Sequence, residues 1–445
     1  MLGKDYIFSK LENILKQVNS EQCELVYVFK DDQLTRYANN YIHQNVAERN
    51  GTLTVRIING KKSAYASINS LEEDKVKHTI NNLYESIKFS PEDPDFISLP
   101  SVNEYSNLSS FDEETAFYSP EKRAEMVKVI THEAEKHNAT SSGQCNTSMT
   151  ETAVFNSLGV KAYNKMSKAF LLSAVMKDGE GFAEHLSPRI SDINAHEIAQ
   201  KSVERCIKSA NPIEVKPDNY TVVLESFGVA QLMEIFASEN FGAYEVMEER
   251  SCVSGKLGEK ITGENISLYQ DPLNENGFII PFDLEGQPSK RIPLVENGIA
   301  KSILHTSYTA NMMKSESTGS KLSTFSHKPY PQLVSMDAGN NTVEEMIEST
   351  EYGLYIARLN YLGLVEPRHT LTTGLTRGGT FLVKDGKIVA PVYNLRFTDS
   401  LLKIFSNVTM ISKDRRYGGE MYTSVLAPAI KTERFKFTGS ARTGA

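Results

Sequence analysis

Two histidines flank a glutamate in HEAEKH, residues 132–137. On a metalloprotease helix, such residues hold zinc and supply a general base. Two ligands on one helical face need four-residue spacing, which leaves them about 40° apart around the axis, whereas five-residue spacing leaves about 140°. His132 and His137 are five apart, with no glycine between them to break the helix. Their side chains therefore diverge. The stretch reads as the polar end of an amphipathic helix, with Met126, Val127 and Ile130 facing inward and His137 at the negative dipole end. A second near match, AHEIAQK at 195–201, has His196 and Glu197 but places Gln200 where a second histidine belongs. The other histidines, at 43, 78, 185, 305, 327 and 369, stand alone in sequence. Cys23, Cys145, Cys206 and Cys252 form no CxxC pair, which suits a reducing cytosol better than a disulfide scaffold. No phosphate-binding loop, GxGxxG turn or GxSxG elbow is present.

At 445 residues the chain exceeds one hydrophobic core, and two or three domains are expected. A net charge of −8 repels phosphate backbones and argues against nucleic-acid binding. The N-terminal residues lack the apolar core of a secretory signal, and no stretch approaches the roughly 18–20 apolar residues of a membrane span. The expectation is a cytoplasmic protein without membrane contact. Ile7, Leu11, Ile14, Leu15 and Val18 recur at helical spacing. Strand-like runs follow at 25–29, 34–48, 52–58 and 63–68, with Asn59-Gly60 as a hairpin turn. A helix over 71–89 and a proline-bearing linker at 90–102 end this segment. Ser119-Pro120 starts the next helix, strands follow, and a helix over 193–210 precedes the break at Asn211-Pro212. A strand at 220–226 and the helix GVAQLMEIFA then lead into a β-rich region with turns at Asn276-Gly277, Asn297-Gly298 and Asp385-Gly386. The fold class is α+β. A helix-flanked antiparallel sheet occupies 1–105, a middle α/β segment 106–215 and a large β-rich domain 216–445.

Four stretches together resemble the TldD/PmbA family, historically labelled modulators of DNA gyrase and related to peptide-processing metalloproteases. They are TRYANNYIHQN (35–45), SGKLGEKI (254–261), PFDLEGQPSKRIPLVENGIA (281–300) with STGS (317–320), and TTGLTRGGTFLVKDGKIVAPVYNLRFTDSLL (372–402). The resemblance implies that a helix just upstream of SGKLGE would carry HExxxH in the active branch, with a cysteine from the C-terminal β region as a further ligand. Counting back without gaps from Gly255 puts Glu234 and Glu239 at the histidine positions. Ser238-Glu239-Asn240-Phe241-Gly242 also resembles the motif core, so the frame has two readings. No histidine lies between 197 and 304, and no cysteine follows Cys252.

The resemblance is therefore to the PmbA, or TldE-like, branch. It implies no metal, no cofactor and no catalytic residue in this chain. It also implies a homodimer, or a heterodimer with a metal-bearing TldD-like paralogue, that binds extended peptide. Arg377 and Arg396 are candidates for a peptide groove or subunit contact, although a strand-borne Arg396 buried on a carboxylate or carbonyl is the simpler expectation. A non-enzymatic regulatory homodimer and a peptidase with a non-metal site are the alternatives.

Overall fold

The computed structural model describes residues 1–275, 277–418 and 424–440. The first half comprises α1 (Lys4–Gln17), β1 (Gln22–Ala38), β2 (Tyr41–Asn59), β3 (Lys62–Ile68), α2 (Glu73–Ser86), α3 (Glu113–Ala116), α4 (Pro120–Lys136), β4 (Thr140–Asn156), β5 (Lys161–Met176), β6 (Glu180–Ser187) and α5 (Ala195–Lys208). The second half begins with β7 (Asn219–Leu224), α6 (Ser226–Asn240), α7 (Ala243–Met247), β8 (Leu268–Gln270), β9 (Ile292–Glu296), β10 (Ile299–Ala300), α8 (Ser307–Met313), β11 (Leu333–Met336) and α9 (Val343–Glu348). It ends with β12 (Tyr352–Glu366), β13 (Leu371–Lys384), β14 (Lys387–Pro391), β15 (Leu395–Ser400), α10 (Leu401–Ser406), β16 (Val408–Gly418) and β17 (Ser424–Ser440).

Local chemistry sets many of these boundaries. The Ser119 hydroxyl accepts from the Lys122 N–H, and Pro120 opens α4. The hairpin from β2 into β3 turns one residue later than expected, at Gly60-Lys61, because Asn59 still pairs with Lys62, whereas Asn297-Gly298 joins β9 to β10 and Asp385-Gly386 joins β13 to β14. The position Asn276 lies outside the described residues. The run at 34–48 is not one strand. Asn39 and Asn40 take φ of 53° and 62°, and the chain reverses there from β1 into β2. Asparagine tolerates this left-handed region better than other side chains because it is short and polar.

One antiparallel sheet, ordered β3-β2-β1-β4-β5-β6, takes strands from both sides of the 90–102 linker. A helix, three strands and a helix occur on each side, and the units meet at the antiparallel β1–β4 pair, as a twofold relation requires. The middle segment is thus itself antiparallel, with α4 and α5 packed on its strands through Val127, Ile130 and Ile198. Helix α5 lies so close to β6 that a Cβ on Gly181 would stand 1.9 Å from the Ser202 carbonyl oxygen.

In the second half, β7, β12, β13, β15 and β17 pair in turn, and β17 returns to β7 to close a ring. Closure leaves no open edge among these strands. Helix α6 packs against β12, β16 and β17 in the largest apolar core. Eleven of its fifteen residues are buried and none is exposed. It is a helix covered on every side, without the polar face of a surface helix.

Two buried charged seams join the halves. At the first, Arg205 of α5 donates to the carboxylate of Glu225, which precedes α6, and to the Tyr355 hydroxyl of β12 at 3.0 Å. The Tyr355 hydroxyl in turn donates to Glu225, and Lys201 lies 3.3 Å from the same carboxylate. Burial alone would raise the Glu225 carboxyl, but Arg205, Lys201 and Tyr355 outweigh it and hold the group down at about 2. At the second seam, Lys321 pairs with Glu285 at 3.0 Å, with both side chains almost fully buried. Glu24 of β1 and Arg56 of β2 stand in the same charge field. Thus PFDLEGQPSK and the residue after STGS, far apart in sequence, meet the first sheet here. Beside them the His327 ring stacks on Tyr308 at 4.1 Å. Burial, with Lys321 and Arg56, pulls its imidazole down to about 4, so it is neutral at pH 7.

These seams set the acid sensitivity. His327 binds its proton below about pH 4 when folded and near 6.5 when unfolded, so its contribution is complete above pH 6.5 and is lost as pH falls toward 4. Glu225 contributes fully above about pH 4.5 and loses that contribution as pH falls toward 2. Urea unfolding across this range should show His327→Gln flattening the upper interval and Glu225→Gln the lower. At pH 7, Glu225→Gln should cost about 3 kcal/mol, because it leaves Arg205 buried without its counterion. Gly181→Ala should cost about 1–3 kcal/mol in the same assay by forcing α5 off β6.

Candidate functional site

Both ends of α6 carry the chemistry. At the C-terminal end, Asn240 organises the following turn. Its side chain accepts from the Cys252 N–H at 3.1 Å, and its backbone carbonyl accepts from the Ser251 hydroxyl at 2.5 Å. The SGKLGE stretch is thereby tied to the end of α6. Beyond the turn at Gly242, α7 presents Glu245, whose side chain is 1% exposed. A Cβ on Gly242 would stand 2.3 Å from the Glu245 carboxylate, so a side chain there would push that carboxylate aside.

The Lys328 ammonium lies 2.7 Å from Glu245 and 3.9 Å from Glu239. It also stands 4.8 Å above the Tyr330 ring. Burial pulls the Lys328 amine down, but Glu245 and Glu239 outweigh it and hold it above the ordinary lysine value. Glu234 is buried within α6. Of the two glutamates expected at the motif positions, Glu239 thus belongs to a lysine-centred ion cluster and Glu234 to the helix interior. Among the described residues, no three His, Cys, Asp or Glu side chains converge as a metal site.

At the N-terminal end of α6 a cleft of about 560 Å³ opens between α5, β6 and the closed ring of strands. Phe182, Phe227, Tyr355 and Phe381 give it an aromatic floor. The Phe182 and Phe227 rings lie 5.7 Å apart, and Tyr355 and Phe381 lie 6.0 Å apart. Its charges are largely matched internally: Glu225 by Arg205 and Lys201, Glu197 by Arg416 at 2.8 Å, and Glu204 by Lys208. Glu197 is the glutamate of AHEIAQK. It serves as a rim residue, and the Arg416 guanidinium holds its carboxyl below the usual range.

The other sequence candidates lie elsewhere. His132 is exposed on α4, and His137 ends that helix 3.7 Å from Glu133. Arg377 sits 3.5 Å from Glu180, whose other carboxylate oxygen accepts from the Gly378 N–H and the Asn394 side chain. It braces β6 against β13 and does not line the cleft. The expectation of a buried Arg396 is corrected. Strand alternation turns Leu395 and Phe397 inward and leaves Arg396 exposed. Burial pushes the thiols of Cys23, Cys145 and Cys252 up to about 12, which removes their nucleophilic character. The cleft itself had no local signal in the sequence, because its floor gathers β6, α6, β12 and β13 from more than 190 residues of chain.

Comparison with known proteins agrees with this architecture. Residues 217–439 match the PmbA/TldA metallopeptidase C-terminal domain, and residues 23–87 match PmbA/TldA metallopeptidase domain 1. A metalloprotease of Methanothermobacter thermautotrophicus is 25% identical over 264 residues, covering 56% of this chain and 57% of that protein. A metalloprotease TldD homologue of Buchnera aphidicola is 26% identical over 208 residues, covering 43% of this chain and 42% of that protein. The chain spans about half the length of these curated relatives. The crystal structure of TldE from Thermococcus kodakarensis shares the fold, with a TM-score of 0.88 and 22% identity over 97% of this chain and 100% of that one. With its β-rich half and the β1–β3 part of its first sheet both described by the family's own domains, the chain belongs to the PmbA/TldA metallopeptidase family.

Proposed function

We propose that this chain is the non-metal subunit of a TldD/TldE-like peptide-processing assembly, paired with a metal-bearing paralogue and holding extended peptide for it. The observation that carries this reading is the Lys328 ammonium among the carboxylates at the end of α6. The residues present do not fit a catalytic zinc. Such a site draws on histidine, cysteine and carboxylate donors around an open position. Here Glu239 and Glu245 already face a fixed cation, and a divalent ion beside them would meet its repulsion. An ammonium balances charge but cannot act as a Lewis acid or lower the pKa of a bound water. The resemblance of the fold to TldE, and of the sequence to metalloproteases, supports a partner role in proteolysis.

The test combines metal analysis with reconstitution. The purified chain should carry substoichiometric zinc, keep its melting temperature in excess EDTA and leave unfolded peptides intact. It should co-purify with a TldD-like protein bearing HExxxH, and the mixture should cleave peptides faster than the TldD-like protein alone. Chelator-sensitive cleavage by this chain alone overturns the proposal. So does a homodimer that ignores the paralogue. Separately, Lys328→Met should cost about 2–3 kcal/mol in urea unfolding at pH 7, since it removes the nearer cation of the buried Glu245 and leaves only Arg250, 3.9 Å away.

A further inference from the structure

We propose that the cleft at the N-terminal end of α6 is a selectivity pocket for one large apolar or aromatic side chain of a bound peptide. This rests on the peptide-binding role above and adds which residue the chain prefers.

The cleft volume of about 560 Å³ falls within the roughly 300–1,000 Å³ of small-ligand sites and exceeds the needs of a single side chain. The remainder accommodates adjoining backbone. Its floor offers the faces and edges of Phe182, Phe227, Tyr355 and Phe381, and Ile347 and Ile388 extend the apolar surface toward the rim. Tyr355 gives its hydroxyl to Glu225 and Arg205, so only its ring remains for a ligand. The Arg358 guanidinium lies 3.8 Å over the Phe182 ring and stiffens that wall.

Charge complementarity identifies the occupant. Glu225, Glu197 and Glu204 are each paired with a lysine or arginine of the cleft. Of the lining's other charges, Glu344, Lys413 and Asp414 are exposed at the rim, so a charged ligand group on the floor would have to displace one of the paired partners and would itself lose water there. A neutral backbone with an apolar side chain meets neither cost. Burying that side chain would favour it about tenfold or more over a small or charged residue. A peptide entering here arranges its sequence around the floor, so the pocket acts on choice of substrate segment and needs no reacting group.

The chain contains no tryptophan, so a tryptophan peptide is a background-free reporter. The probe is acetyl-Gly-Gly-Trp-Gly-Gly-amide, titrated with the intact chain while emission maximum and anisotropy are followed. Saturable binding with a blue shift is expected. Otherwise identical peptides with central Leu or Phe should compete about tenfold better than those with central Ala or Asp. Phe227→Ala should weaken probe binding about tenfold or more. Ile388→Glu should do the same, and because Ile388 is solvent-exposed on β14 this variant keeps its fold. Equal competition by the Asp and Leu peptides, no saturable binding, or unchanged affinity in the folded Ile388→Glu protein overturns the proposal. Because the titration needs no partner, its failure leaves the reconstitution result untouched. Failed reconstitution with normal cleft selectivity would instead reject the assembly and keep the pocket.

Discussion

A helix enclosed on every face cannot send charge to solvent along its length, so apart from a buried Glu234 its charged groups gather at its ends. Helix α6 is in that position. Only Gln231 interrupts its run from Gly228 to Ser238 with a partly exposed polar side chain, and that group is used, accepting the Leu359 N–H at 3.0 Å beyond the point where β12 stops pairing with β7. At the N-terminal end, Glu225 is held by Arg205, Lys201 and Tyr355. At the C-terminal end, Glu239 and Glu245 face Lys328. The first cluster ties α5 to the closed ring of strands. The second fixes the turn that leads into SGKLGE. Enclosing one helix thus requires the joint between the halves and the filled cation position.

The lysine is a different solution from a metal, although both supply positive charge. Zinc imposes directional coordination and leaves an open position for water. Lysine supplies one charge on a flexible stem and three donors, with no empty orbital. A lysine can thus hold a carboxylate cluster inside a protein without the chemistry a metal would bring. The electrostatic demand of the fold and the chemical demand of catalysis are separable.

The legible features of the sequence were those fixed by a single residue's conformational limits. Asn297-Gly298 and Asp385-Gly386 turn because both backbones enter left-handed conformations, Gly60 after Asn59 does so alone, and Ser119-Pro120 starts α4 because of one cap and one ring. His132 lies in the last turns of α4 and His137 already caps it, so the two do not sit on one regular helix. Asn39-Asn40 escaped notice because a glycine-free turn looks like the strand on either side. The continuous sheet across the linker depends on β1 meeting β4, a choice made by tertiary packing that leaves no mark in either strand. The partners of Glu239 and Glu225 were equally hidden. Lys328 lies 89 positions after Glu239, and Tyr355 lies 130 after Glu225. Arg396 could be placed on a strand, but its outward direction depended on which neighbours, Leu395 and Phe397, the core required.

The distance between the two ends of α6 bears on how they work. Fifteen residues span about 22 Å, beyond the roughly 7–10 Å within which substitutions usually couple. The aromatic cleft and the lysine cluster can therefore vary independently at their rims, although neither can change if the helix between them shifts. A substitution in the shared core, at Met233 or Phe236, would disturb both ends together. One at Ile388 or Lys328 would disturb a single end. Loss of peptide selectivity without loss of the lysine cluster is therefore physically available to this chain, and so is the reverse. A fold that holds an aromatic cleft and an ion cluster at opposite ends of one buried helix in this way lets either end change while the other is kept.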